Sequence, residues 1–183
     1  MPLSKREMYL LNLYRNSELH GALLMGRIAR SVSTAEVLVG ATRHCATEAQ
    51  HAARLTELIA ALGGTLDPTA DTIQKRYSED GGIPKDVADL LILSEVLEAR
   101  VLTSYREHLE QTDVHPKIRQ TLDHIIRDEE AHSGNHGWAE RWLATLPTDR
   151  LDTIRQKWAE IDRRVADELK WEIASNFPEE SAT

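Results

Sequence analysis

The sequence predicts an all-α protein in which four long amphipathic helices fold as two antiparallel hairpins joined by a long crossover, followed by a fifth helix. Three observations carry this expectation. Leu, Ala, Glu and Arg are abundant, whereas there is only one Phe and few runs of Val and Ile read as strands. Apolar residues recur at three- and four-residue steps over five long segments. Turn signals separate those segments: Gly63-Gly64, the stretch from Thr65 to Pro84, Asp113 to Pro116, and Pro147. A chain of 183 residues, 41% of them hydrophobic, can bury one sizeable core and is too short to favour two domains.

The first helix is expected from about Ser4 to Arg30, with Leu11, Tyr14, Gly21, Met25 and Ile28 on its inner stripe and Glu18 interrupting it. The second should start at Ser33 or Thr34 and stop at Gly63-Gly64, its stripe running Ala41, His44, Glu48, His51, Leu55, Leu58 and Leu62. The short link between them makes these helices antiparallel neighbours. Thr65 to Pro84 reads as a long connection with a helical turn around Thr72 to Tyr77. The third helix begins after Pro84, turns Val87, Leu91, Ser94, Glu98, Val101 and Tyr105 inward, and ends near Thr112. The fourth runs to about Leu146 with Ile118, Leu122, Ile125, Glu129, His132, His136, Ala139 and Leu143 on its stripe.

Residues 1–146 therefore form the expected bundle. Residues 147–176 form the last helix, with Leu151, Ile154, Trp158, Ile161, Val165 and Leu169 facing either the bundle or a partner subunit. Residues 177–183 are expected to be a disordered tail.

A net charge of −8 argues against a nucleic-acid or anionic-membrane partner, both of which need a basic face. The start lacks a secretory pattern and no window reaches the length of a membrane span, so a cytoplasmic protein is expected. Cys45 is the only cysteine. With no Cys-x-x-Cys pair, electrons are expected from an external donor.

The chemistry is carried by two Glu-x-x-His motifs, Glu48-Ala-Gln-His51 and Glu129-Glu-Ala-His132. On a helix this spacing puts a carboxylate and an imidazole on adjacent turns of one face, where they can grip a metal ion. Both motifs fall on apolar stripes. Buried charges cost several kcal/mol each unless paired or bound to metal, so inward glutamates demand compensation. Glu18 and Glu48 lie at similar distances on either side of the first hairpin turn, as do Glu98 and Glu129 around the second, so four carboxylates should share one layer. Four carboxylates and two neutral imidazoles balance two divalent cations, and mixed oxygen and nitrogen donors suit iron or manganese.

With these residues in view, the chain resembles the ferritin-like superfamily of di-iron carboxylate proteins. Glu48-x-x-His51 with Glu57 and Leu62-Gly63-Gly64 is similar to rubrerythrin-type domains, and Leu97-Glu98-Ala99-Arg100 with Glu129-x-x-His132 is similar to the diiron tRNA hydroxylases. The resemblance spans roughly Leu10 to Leu143. It implies metal ligation by Glu18, Glu48, His51, Glu98, Glu129 and His132, with Glu95 as an alternative or additional ligand, and an outer-shell role for Asp128 toward His51. Rubrerythrins pair two carboxylates on the third helix, and Glu95 and Glu98 would stand in for them. His44 and His136 lie one turn outside the ligands on the same stripes, as core or pocket-lining groups beside the metals, with direct ligation as the alternative reading. Tyr14 and Tyr105 are candidates for hydrogen-bond donors around the metals as well as for ordinary core residues.

The expected function is a dinuclear iron oxidoreductase, Mn or mixed Fe/Mn being possible, that activates O2 or peroxide and oxidises a small organic substrate. It would act as a monomer or homodimer. The alternatives are a mini-ferritin that oxidises and stores iron, and a metal-free structural bundle.

Overall fold

The computed structural model of the chain describes residues 3–133 and 137–178, and the backbone alone for 131–133. It is all-helical, with no strand among the described residues. Helix α1 (Lys5–Ser31) opens with a capping box: Ser4 Oγ accepts from the Glu7 amide, and the Glu7 carboxylate accepts from the Ser4 amide. Helix α2 (Ala35–Ala61) stops where Gly63 takes φ +70°, a value only glycine adopts cheaply, and the Gly64 amide donates back to Ile59 O at 2.8 Å. Helix α4 (Val87–Leu109) is capped by Asp86, whose Oδ1 accepts from the Ala88 and Asp89 amides.

Two elements differ in extent from the expectation. The helical turn around Thr72 is a nine-residue helix, α3 (Ile73–Gly81), with Ile73, Gln74 and Tyr77 buried. The stretch expected as one fourth helix carries α5 (Pro116–Ser133) and α6 (Gly137–Leu143), with 134–136 outside the described residues. Helix α7 (Thr148–Asn176) completes the order.

Helix α1 packs along α2 and also meets α4; α5 lies against both α4 and α2, and α6 rests on α2. Trp138 of α6 covers Gly40 so closely that a Cβ there would lie 2.4 Å from the indole. The core is built from the expected stripes, including Leu11, Ile28, Leu55, Leu91, Tyr105, Ile118 and Leu122.

Helix α7 packs on α3 and α4 of its own chain. Trp158 is fully buried there, its Nε1 donating to Asp89 Oδ1 at 2.6 Å. Asp162 joins three helices, accepting from Tyr77 of α3 and from both Nε and Nη2 of Arg100 on α4. Beyond α7, Phe177 stacks on Tyr9 with ring centroids 5.5 Å apart, while 179–183 lie outside the described residues.

The crossover is held by short polar side chains on α1. Asn12 donates to Thr65 O and accepts from the Asp67 amide, Asn16 donates to Asp67 O and Ala70 O, and Ser17 Oγ accepts from the Ile73 amide. A connection crossing a helix would otherwise bury its peptide groups without partners, and these three residues supply them. Glu18 follows directly.

Candidate metal centre

Glu18 of α1, Glu48 and His51 of α2, Glu98 of α4 and Glu129 of α5 converge between the long helices. Their donor atoms fall into two groups that share Glu48: Glu18, Glu48, His51 and Glu129 in one, His44, Glu48 and Glu98 in the other. Within each group the donor atoms lie within 4.8 Å of one another. In the first, His51 Nδ1 is 2.8 Å from Glu129 Oε1 and 3.3 Å from Glu18 Oε2. In the second, His44 Nε2 is 2.8 Å from Glu48 Oε1 and 3.4 Å from Glu98 Oε1.

Burial decides what these charges do. Glu18 is 3% exposed, Glu129 5% and His51 1%, so water does not screen them. Burial, together with Glu18 and Glu129 nearby, holds the Glu48 carboxyl well above the usual carboxylate range. Burial also pushes Glu98 up to about 8, against the Ser94 hydroxyl, which favours its ionised form. Burial alone would lower His51, but hydrogen bonds to Glu129 and Glu18 raise it to about 10. Protons on Glu48, Glu98 and His51 therefore offset part of the cluster's negative charge, and divalent cations could take their place. Buried oxygen and nitrogen donors grouped at these distances can hold a metal ion.

Neighbouring residues fix the donors. Ser94 Oγ donates to Glu98 Oε1 at 2.8 Å, and the Tyr105 hydroxyl donates to Glu18 Oε1. Burial and the Glu18 carboxylate raise the Tyr105 phenol well above its ordinary value, so it stays a donor. Tyr14 meets the Tyr105 ring edge to face at 4.7 Å and donates its own hydroxyl to Ser104 O. Behind His51, Asp128 Oδ2 lies 3.5 Å from Nε2, the side away from the cluster. Gly21 leaves room for Glu48: a Cβ there would stand 2.7 Å from its Oε2.

A cavity of about 30 Å³ adjoins the carboxylates, walled by Leu24, Met25, Leu97 and Val101. Since a water needs roughly 10–15 Å³ by this measure, the space suits a diatomic molecule or two waters. Gln74 also lines it.

Of the residues expected from sequence, Glu18, Glu48, His51, Glu98 and Glu129 come together, and Asp128 lies on the far side of His51 without a hydrogen bond to its Nε2. Glu95 belongs to neither group; it is half-buried, with Arg155 and Glu140 as its charged neighbours on α7 and α6. The His132 side chain and His136 lie outside the described residues. His44 comes within contact of two cluster carboxylates rather than only lining the space around them. Ser94 and Gly21 have roles their stripe positions did not disclose, although a glycine on the inner face of a long helix is itself a sign of close approach. Comparison with family models, curated proteins and solved structures finds no match for this chain.

Proposed function

We propose that the chain is a dinuclear iron oxidoreductase built on a ferritin-like bundle, in which α1 with α2 and α4 with α5 are the two hairpins and α7 is the fifth helix. The observation that carries this reading is the pair of donor groups sharing Glu48, every member buried except the half-buried Glu98. One carboxylate shared by two groups is what two adjacent cations need. Glu18, His51 and Glu129 would hold one ion and Glu98 the other, with His132 assigned to the site from its motif alone; Mn in place of Fe fits the same donors. When bound, two irons supply the electrons and Lewis acidity for activating O2 or peroxide.

The chain's own residues do the rest. Ser94 and Tyr105 fix the Glu98 and Glu18 carboxylates, Asp128 places a carboxylate 3.5 Å from His51 Nε2, and the apolar walls limit water near the ions. The small cavity favours O2 or peroxide next to the metals, with a small organic substrate and the external donor approaching from its rim. No helix among the described residues is long and apolar enough to cross a membrane, and the acidic balance does not suit nucleic acid. A cytoplasmic monomer or homodimer is the proposed form.

The test is Fe(II) loading without oxygen, followed by O2 or peroxide, read by near-ultraviolet absorption and size-exclusion chromatography. Rapid oxidation of about two irons per chain in a small species supports the reading. Tens of irons per chain in a large assembly would mean iron storage instead, and no iron-dependent spectrum would leave only the structural bundle.

A further inference from the structure

We infer that His44 is itself a metal ligand, binding the second ion through Nε2 together with Glu48 and Glu98. This rests on the dinuclear reading and adds a ligand that the paired Glu-x-x-His motifs do not contain.

The distances make the case. Two donors each roughly 2.0–2.2 Å from one ion stand about 3.0 Å apart at a right angle and about 3.4 Å at a tetrahedral angle. His51 Nδ1 lies 2.8 and 3.3 Å from Glu129 and Glu18; His44 Nε2 lies 2.8 and 3.4 Å from Glu48 and Glu98. The two imidazoles of α2 thus stand in the same relation to their carboxylates, one short edge and one longer. A histidine that served only as a hydrogen-bond donor to Glu48 needs the short contact alone. The second carboxylate, brought from α4, is what an ion between the three groups requires.

The helix geometry agrees. His44-x-x-x-Glu48-x-x-His51 spans two turns of one buried face, with the shared carboxylate between the imidazoles. Both histidines are buried, at 6% and 1% exposure. A neutral imidazole adds no charge, so four carboxylates still balance two divalent cations. Helix α2 then gives one imidazole to each ion, and loading of the second depends on α2 and α4, where Ser94 holds Glu98.

The test uses the full chain with His44→Ala and His44→Gln, helicity checked by circular dichroism. Co(II) is the probe, added without oxygen and counted by equilibrium dialysis, with the visible absorption of bound Co(II) recorded. Glutamine can still hydrogen-bond to Glu48 but supplies no imidazole. Two ions on the unaltered chain and one on each variant, with about half the Co(II) absorption lost, is the expected result. Two ions retained by His44→Gln, or by both variants, would overturn the assignment and leave the dinuclear reading standing. Loss of both ions from a folded variant would overturn the assignment to a single subsite. No Co(II) on the unaltered chain would overturn the metal centre and this inference together.

Discussion

A glycine inside a helix costs about 1 kcal/mol relative to alanine, and Gly21 lies well inside α1. The space it leaves is taken by the Glu48 carboxylate. Gly21→Ala is therefore expected to push the Glu48 carboxylate aside, so that the helix gain gives the metal-free protein no higher melting temperature while metal binding weakens by roughly tenfold or more. Thermal melts beside binding isotherms check both halves, and unaltered affinity would show that the glycine is incidental. Protonation gives a second expectation at this scale. Glu98 holds a proton below about pH 8 and His51 below about 10 in the metal-free chain, so metal must displace protons and affinity must rise with pH. Calorimetry in buffers of different ionisation enthalpy should find more than one proton released per chain at neutral pH; no release would contradict the cluster's electrostatics.

His108 supplies an expectation about acid stability. Burial, with Arg6 and Arg119 nearby, lowers its imidazole to about 4, so the folded chain keeps it neutral. The unfolded chain takes up that proton near pH 6.5. Stability from this group is thus complete above about 6.5 and lost as pH falls toward 4, on the order of 3 kcal/mol in all. Denaturant melts across this window should show the loss, and His108→Phe should remove this part of it. Single residues were legible in the sequence where they sat on stripes: Glu18, Glu48, His51, Glu98 and Glu129. The contact of His44 with Glu98 was not, because it depends on how α4 crosses α2, which periodicity does not set.

At the scale of elements, the long helices follow from their stripes and caps, and α7 shows the limit of that reading. Its apolar positions were plain, but whether they faced this chain or another was not. The deciding groups are polar: Asp162 meets Tyr77 and Arg100, and Trp158 meets Asp89. Helix α3 was half-hidden for a related reason, since its length depends on Tyr77 reaching Asp162 and on Gly81 fitting beneath Trp158. Trp158→Ala is expected to cost about 3–5 kcal/mol and to raise amide exchange in both α3 and α7. Exchange confined to α7 would mean that the two helices are not held through this side chain. The crossover left no periodic signal, because Asn12 and Asn16 serve backbone groups far along the chain rather than a facing helix.

At the scale of the whole molecule, the chain brings four glutamates from four helices together, Glu18, Glu48 and Glu129 buried and Glu98 half-buried, with imidazoles among them. Such an arrangement is unfavourable without compensation, and its position was legible because each pair of glutamates lies at matched distances from the connection between its two helices. Its neutralisation by two metal ions is the central claim. The most direct measurement is the amount of divalent metal held by the freshly dialysed full chain, by elemental analysis against protein concentration, together with the melting temperature before and after chelation. Two ions per chain and a melting temperature that falls when they are removed are expected. A folded chain that holds no metal, and melts at the same temperature with and without added Fe(II) or Mn(II), would contradict the account.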